Sequence, residues 1–287
     1  MSQKSDRPCT IGFPRSGGGS VKSLGRIQIA SWILASCCVL SSISACGQEK
    51  TEAPELVVAA AADLSSALQD VARAYKDKTG ANVKLSFGAS GALTQQIQNG
   101  APFDLFFSAD MDYPRELIGA GQADANSLFQ YAVGKLVLWV SADSPLDVQR
   151  QGVRVLLDPT VKKIAIANPQ HAPYGRAAVA ALKHYELYDQ VADRLVLGEN
   201  VGQAVQFVES GNAQAGFVAL AHARAPGMQG KGKYWEVPVE AYPPLVQGAV
   251  VLSRSQHKKE AATFLEYVKT KEVGEVLKEY GFSLPQK

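Results

Sequence analysis

The sequence predicts an α/β fold of mainly parallel sheets with helices packed on both faces. From Glu55 onward, short apolar runs alternate with stretches whose apolar residues recur every 3.6 positions. That alternation is the pattern of strand–helix–strand units, whose crossover helices cover a parallel sheet. Small residues and glycines stand where the runs meet, and the length suffices for one large or two modest domains.

In chain order, strands are predicted at 56–61, 83–87, 104–108, 134–141, 164–167, 194–197, 215–219, 235–239 and 247–252, each a short apolar run. Helices are predicted at 64–78, 92–99, 112–120, 175–185, 202–210 and 257–279. In the first helix Leu64, Leu68, Val71, Ala72 and Tyr75 make the apolar stripe; in the last, Phe264, Leu265 and Val268 read as a core stripe. Two longer runs, Y-A-V-G-K-L-V-L-W-V-S at 131–141 and L-V-Q-G-A-V-V-L-S at 245–253, each hold a glycine. In a strand such a glycine marks a bend or a close backbone approach. Two readings follow: one sheet with two kinked strands, or two lobes between which the chain crosses twice, making a hinge.

Four strand-to-helix junctions carry the functional information. They are V-V-A-A-A-A-D-L around Asp63, F-G-A-S-G around Ser90, N-P-Q-H-A-P-Y-G around Tyr174, and G-E-N-V-G around Val201. A helix start leaves unpaired N–H groups and about half a positive charge, so it binds an oxyanion without needing Lys or Arg. Any α/β protein has several such junctions. Four with small residues or glycine at the turn suggest a cradle for one ligand.

The first 46 residues read as a leader. Lys4, Arg7, Arg15, Lys22 and Arg26 precede a mostly apolar, serine-rich run from Ile27 to Ala45, which ends in I-S-A-C-G. This is the pattern of a lipoprotein signal peptide cut before Cys46, whose lipid would tether the protein to a membrane surface. Residues 47–54 read as a polar tether. All four cysteines lie in the leader, which excludes disulfides, thiolate nucleophiles and Cys-held metals from the body. Removing five basic residues and one acid from totals of 29 and 27 leaves a net charge near −2. That balance does not suggest a nucleic-acid binder.

Catalytic groups are not apparent. His184, His222 and His257 read as surface histidines and His171 as a loop residue between prolines; none has metal-ligand spacing. No G-x-S-x-G elbow, phosphate-binding loop or dinucleotide fingerprint is present. Arg115, Arg176 and Arg224 are candidates for an anion clamp, with a solvated face the plainer reading for Arg176.

The junction motifs, together with Y-A-V-G-K-L-V-L-W, A-G-F-V-A-L-A and the ending Y-G-F-S-L-P, occur in order across the body. With them the chain resembles the molybdate-binding (ModA) proteins of bacterial ABC uptake systems. The resemblance implies a type II periplasmic binding protein: two Rossmann-like lobes with mixed, mainly parallel sheets joined by two crossover strands. Lobe one would comprise 55–135 and 248–287, and lobe two 136–247. The family's oxyanion-binding positions fall at Ala62, Asp63, Ser90, Tyr174 and Val201. A tyrosine that some members carry after the G-[IF]-V strand is Ala219 here.

Asp63 departs from the serine or asparagine of the family. A carboxylate beside a dianion is costly unless it is screened or protonated. Asp63 either caps its own helix, the favoured reading, or accepts a proton from a ligand such as hydrogen phosphate. The expected function is an extracytoplasmic binding protein that takes up molybdate, and tungstate, and delivers it to an ABC permease. It would be a lipid-anchored monomer of the periplasm or cell envelope, without enzyme activity and without a cofactor beyond its ligand. The alternatives are a binding protein for phosphate, sulfate or a phosphonate, a sensor subunit, and a secreted enzyme on the same two-lobed fold.

Overall fold

The computed structural model describes residues 55–285. The leader, its Cys46 and the tether lie outside the described residues. The first lobe opens with strand β1 (Leu56–Ala61), a 3-10 turn at Ala62–Leu64 and helix α1 (Ser65–Thr79). Strand β2 (Val83–Gly88), helix α2 (Ser90–Gln98), strand β3 (Leu105–Ser108), helix α3 (Asp112–Gly119) and strand β4 (Phe129–Gly134) follow. The second lobe holds β5 (Leu136–Ser141), α4 (Val148–Gln151), β6 (Ile164–Ala167), α5 (Pro173–His184) and α6 (Tyr188–Val191). It continues through β7 (Leu195–Gly198), α7 (Val201–Glu209), β8 (Ala215–Ala219), α8 (Leu220–Arg224) and β9 (Gly232–Glu236). The chain then returns as β10 (Leu245–Val251), α9 (Lys258–Val268) and α10 (Lys271–Glu279).

These strands form two five-stranded sheets of one topology, β2-β1-β3-β10-β4 and β7-β6-β8-β5-β9. In each, the strand that has just crossed from the other lobe is inserted beside the third strand and runs antiparallel to both neighbours. The sheets are therefore mixed, with parallel pairing at β2-β1-β3 and at β7-β6-β8.

The long runs resolve differently from each other. The predicted strand 134–141 belongs to two sheets: β4 ends at Gly134 and β5 begins at Leu136. Lys135 is the crossing, with its carbonyl accepting from Leu220 N–H and the next amide, Leu136, donating to the Tyr242 hydroxyl at 3.1 Å. The run at 245–253 does not cross. Leu245 already pairs with Gly134 in the first sheet, so the return is made earlier, through the proline-rich 237–244, and lobe one resumes before residue 248. A register shift between Gln247 and Gly248 takes up the bend that the glycine signalled.

Two further boundaries moved. The predicted helix 257–279 is broken after Val268, where Thr270 caps α10 by accepting from Val273 N–H. The predicted strand 235–239 lies earlier, at Gly232–Glu236, because Pro238 has no N–H to give a ladder. The core stripes fell as read: Phe264 is fully buried, edge-on to Tyr75 at 5.0 Å, and Leu68, Val71 and Tyr75 are buried beneath α1.

Helix α5 is seated by Gly175. A Cβ there would collide with the main-chain carbonyls of Ala167 and Asn168 at the end of β6, and backbone cannot step aside. Gly175→Ala is expected to cost about 1–3 kcal/mol in urea unfolding. Gly119→Ala, where a Cβ meets open space, should be neutral or mildly stabilising. Equal stabilities of the two variants would contradict this seating of α5.

Candidate functional site

The carboxyl ends of β1, β2, β6 and β7 lead into the four junctions, where open α/β sheets leave a crevice for ligands. At the second junction Ser90 is the first residue of α2, and at the third Tyr174 follows Pro173 at the start of α5. At the fourth, Val201 and Gly202 open α7, capped by Asn200, whose side chain accepts from Gln203 N–H at 3.1 Å. The N–H groups of Ser90, Tyr174, Val201 and Gly202 precede the first intrahelical acceptor and have no protein partner among the described residues.

The structure brings the junctions together across the lobes. Gly91 N–H, next to Ser90, donates to the His171 carbonyl at 2.8 Å, joining the second junction to the third. A Cβ on Gly202 would lie 3.9 Å from Ala62 Cβ, so the fourth meets the first. Gln247 joins the first to the third: its Nε2 donates to Asp63 Oδ2 at 2.5 Å and to the Tyr174 hydroxyl at 3.4 Å. Two clefts of about 460 and 410 Å³ flank this seam. Ala62 borders the larger; Asp63, Ser90, Tyr174 and Val201 line neither and are buried between them.

Ser90 is poised as a donor. Its Oγ accepts from Ala109 N–H at 2.9 Å, and no protein acceptor takes its own proton among the described residues. Ala219, at the end of β8, offers no hydroxyl.

Asp63 does not cap a helix. It is the middle residue of the 3-10 turn, whose N-cap position, Ala61, makes no side-chain cap. Its Oδ2 is held by Gln247 instead, and its Oδ1 is enclosed without a partner. Burial raises its pKa to about 6, while Gln247, Tyr174 and the N–H groups of Asp63 and Leu64 pull the other way. No Lys or Arg acts on it. By linkage, this residue favours the ligand-free fold fully below pH 3.8 and loses that contribution as the pH rises through about 6. Tyr131 closes the network by donating to Gln247 Oε1 at 2.8 Å; burial, with Asp63 nearby, lifts both Tyr131 and Tyr174 well above the usual phenol range.

Sequence reasoning missed Gln247 and Tyr131. The available signal was a glutamine inside an otherwise apolar strand, since a fully buried polar side chain needs partners. It also misplaced one residue. His222 is half-buried on α8 with its Nδ1 enclosed and unpartnered, and burial lowers its pKa to about 4 against the pull of the Ala62 carbonyl. Arg176 is exposed, in keeping with the plainer reading, and is not an anion clamp at the junctions. It pairs with Asp110 of the other lobe at 2.5 Å and lies over the Tyr113 ring, 5.5 Å from its centroid. Among the described residues there is no His/Cys/Asp/Glu group suited to a metal ion, and no helix is long and apolar enough to cross a membrane.

The arrangement is a buried set of main-chain donors and one hydroxyl, provided by two lobes in contact. Comparison with known proteins places it in context. The family model described as bacterial extracellular solute-binding protein matches residues 56–283. The molybdate-binding protein ModA of Azotobacter vinelandii is 42% identical over 233 residues, covering 81% of this chain and 91% of that one. ModA of Rhodobacter capsulatus is 38% identical over 230 residues, covering 80% and 88%. The solved A. vinelandii periplasmic molybdate-binding protein superposes with a TM-score of 0.76 at 39% identity, over 80% of this chain and all of that one. With its two lobes, exchanged strands and this extent of likeness, the chain belongs to the bacterial extracellular solute-binding protein family, in its ModA group.

Proposed function

We propose that the protein captures molybdate, and tungstate, between its lobes outside the cytoplasm and delivers it to an ABC permease without chemical change. The observation that carries this reading is the set of uncommitted donors at one seam: the N–H groups of Ser90, Tyr174, Val201 and Gly202 and the Ser90 hydroxyl. Ala62 and Asp63 complete the wall. Neutral donors at helix starts suit a fully ionised oxyanion, whose oxygens accept and carry no proton to place. No cofactor is needed, and the ligand's metal meets the protein through its oxygens.

Lobe closure buries the ion and presents a changed surface to the permease. The Arg176–Asp110 pair and the Gly91–His171 hydrogen bond support the closed form from outside the anion's own contacts. Cys46 carries the lipid that holds a monomeric protein at the membrane. A second reading, hydrogen phosphate as ligand, is favoured by one observation: an ionised Asp63 could accept its proton. Calorimetry of the whole protein against molybdate, tungstate, sulfate and phosphate decides between them. Tight binding of molybdate and tungstate is expected, and binding of phosphate alone would overturn the choice of ligand.

Ser90→Ala removes a buried donor to a charged acceptor and should weaken molybdate binding by about 1–3 kcal/mol. An unchanged affinity would remove Ser90 from the site. Arg176→Ala should have a smaller effect, at most about 1 kcal/mol because the arginine is partly solvent-exposed, and it should appear as faster release in stopped-flow measurements. Slower association with unchanged release would contradict its role in holding the lobes closed. Cys46→Ala should leave the membrane fraction, or accumulate as precursor, while still binding molybdate. A parent protein that is freely soluble would refute the anchor.

A further inference from the structure

Asp63 poses a problem that the proposed function leaves open. The residue is 2% exposed and directly follows Ala62 at the first junction, where a dianion would have to approach. One oxygen is taken: Gln247 Nε2 donates to Oδ2, and the Gln247 amide is itself fixed by Tyr131 on its Oε1. The other oxygen, Oδ1, is enclosed and receives no hydrogen bond of ordinary geometry, although the Tyr174 hydroxyl and the N–H groups of Asp63 and Leu64 act on the carboxyl group. As an anion, Asp63 would place an orphan acceptor and a like charge beside the ligand, both costly in a dry site.

We propose that Asp63 is the carboxylic acid in the loaded protein, with Gln247 holding Oδ2 and Oδ1 carrying a proton that it donates to an oxygen of the bound oxyanion. The proton comes from solvent, so capture of one dianion takes up one proton, and Asp63 supplies the donor that the family's serine or asparagine would supply. The inference rests on the proposed oxyanion function and adds that affinity is coupled to pH. It makes Gln247 a positioning residue: by occupying Oδ2 with a donor it leaves Oδ1 as the site of protonation.

The surrounding groups permit this. Burial already brings Asp63 to about 6 before any anion is present, and a neighbouring dianion raises it further. Facing it are Tyr131 from β4 and Tyr174 from α5, both held protonated far above neutral pH, and the neutral Gln247 from β10. Asp110, beyond β3, acts on Tyr131 but is itself paired with Arg176. His222 on α8, against Ala62, is neutral at pH 7.5 whether its pKa is 6.5 or about 4, so it adds no proton to the balance at that pH.

The test is calorimetry of the whole detergent-solubilised protein with sodium molybdate at pH 7.5, in buffers of different ionisation enthalpy, alongside Asp63→Asn. The parent should take up about one proton per molybdate and lose affinity about tenfold per pH unit above neutrality. Asp63→Asn should bind molybdate with uptake near zero and with affinity nearly independent of pH. An infrared difference spectrum provides a second readout that needs no variant to fold: a carboxylic C=O band should appear in the parent when molybdate is added. Molybdate binding without proton uptake and without that band would overturn the proposal and leave the oxyanion function standing. Binding of inorganic phosphate alone, with no uptake, would overturn this proposal together with the choice of molybdate as ligand, because an ionised Asp63 would then be accepting the ligand's proton.

Discussion

The exchange of one strand between the sheets is the constraint from which the rest of the molecule follows. Because β5 enters the second sheet and β10 the first, each lobe is tied to the other by two covalent crossings. The carboxyl ends of β1, β2, β6 and β7 then face a common seam. Gly134, just before the crossing, is closely packed, since a Cβ there would collide with the Tyr174 hydroxyl and with Gln247. The close packing that makes the crossing possible is the same packing that brings Asp63, Gln247 and Tyr174 together.

In the proposed site, main-chain dipoles stand in place of charge. Arg176 is engaged with Asp110, and none of the groups acting on Asp63 is cationic. Donors supplied by the backbone are fixed by the fold and need little reorganisation when an ion arrives, which suits selection by size and proton content over net charge. Side chains play a narrower part: Ser90 adds a hydroxyl, Asn200 frees Val201 and Gly202 by capping at Gln203, and Gln247 organises the carboxyl group.

Much of this was legible in the sequence, for physical reasons that differ by element. The junctions could be read because an apolar run, a small-residue turn and a 3.6-residue stripe are all local patterns, and Ser90, Tyr174 and Val201 lie at the helix starts those patterns mark. The apparent strand at 134–141 could not be divided locally, because Lys135 is set apart by partners distant in sequence, Leu220 and Tyr242. The partners of Asp63 were hidden likewise: Gln247 is 184 residues away, and local rules offered only a helix cap. His222 was misread, and the Asp110 partner of Arg176 went unseen, because both environments involve the opposite lobe, which no local window contains.

The central claim is that a fully ionised tetrahedral oxyanion sits among neutral donors from both lobes. Crystals grown with molybdate and measured at the molybdenum absorption edge test it most directly. The account predicts a single anomalous peak at the seam, with oxygens about 2.7–3.2 Å from the N–H groups of Ser90, Tyr174 and Val201 and from the Ser90 hydroxyl. A peak held by lysine or arginine side chains, or one lying in a flanking cleft away from those N–H groups, would contradict it.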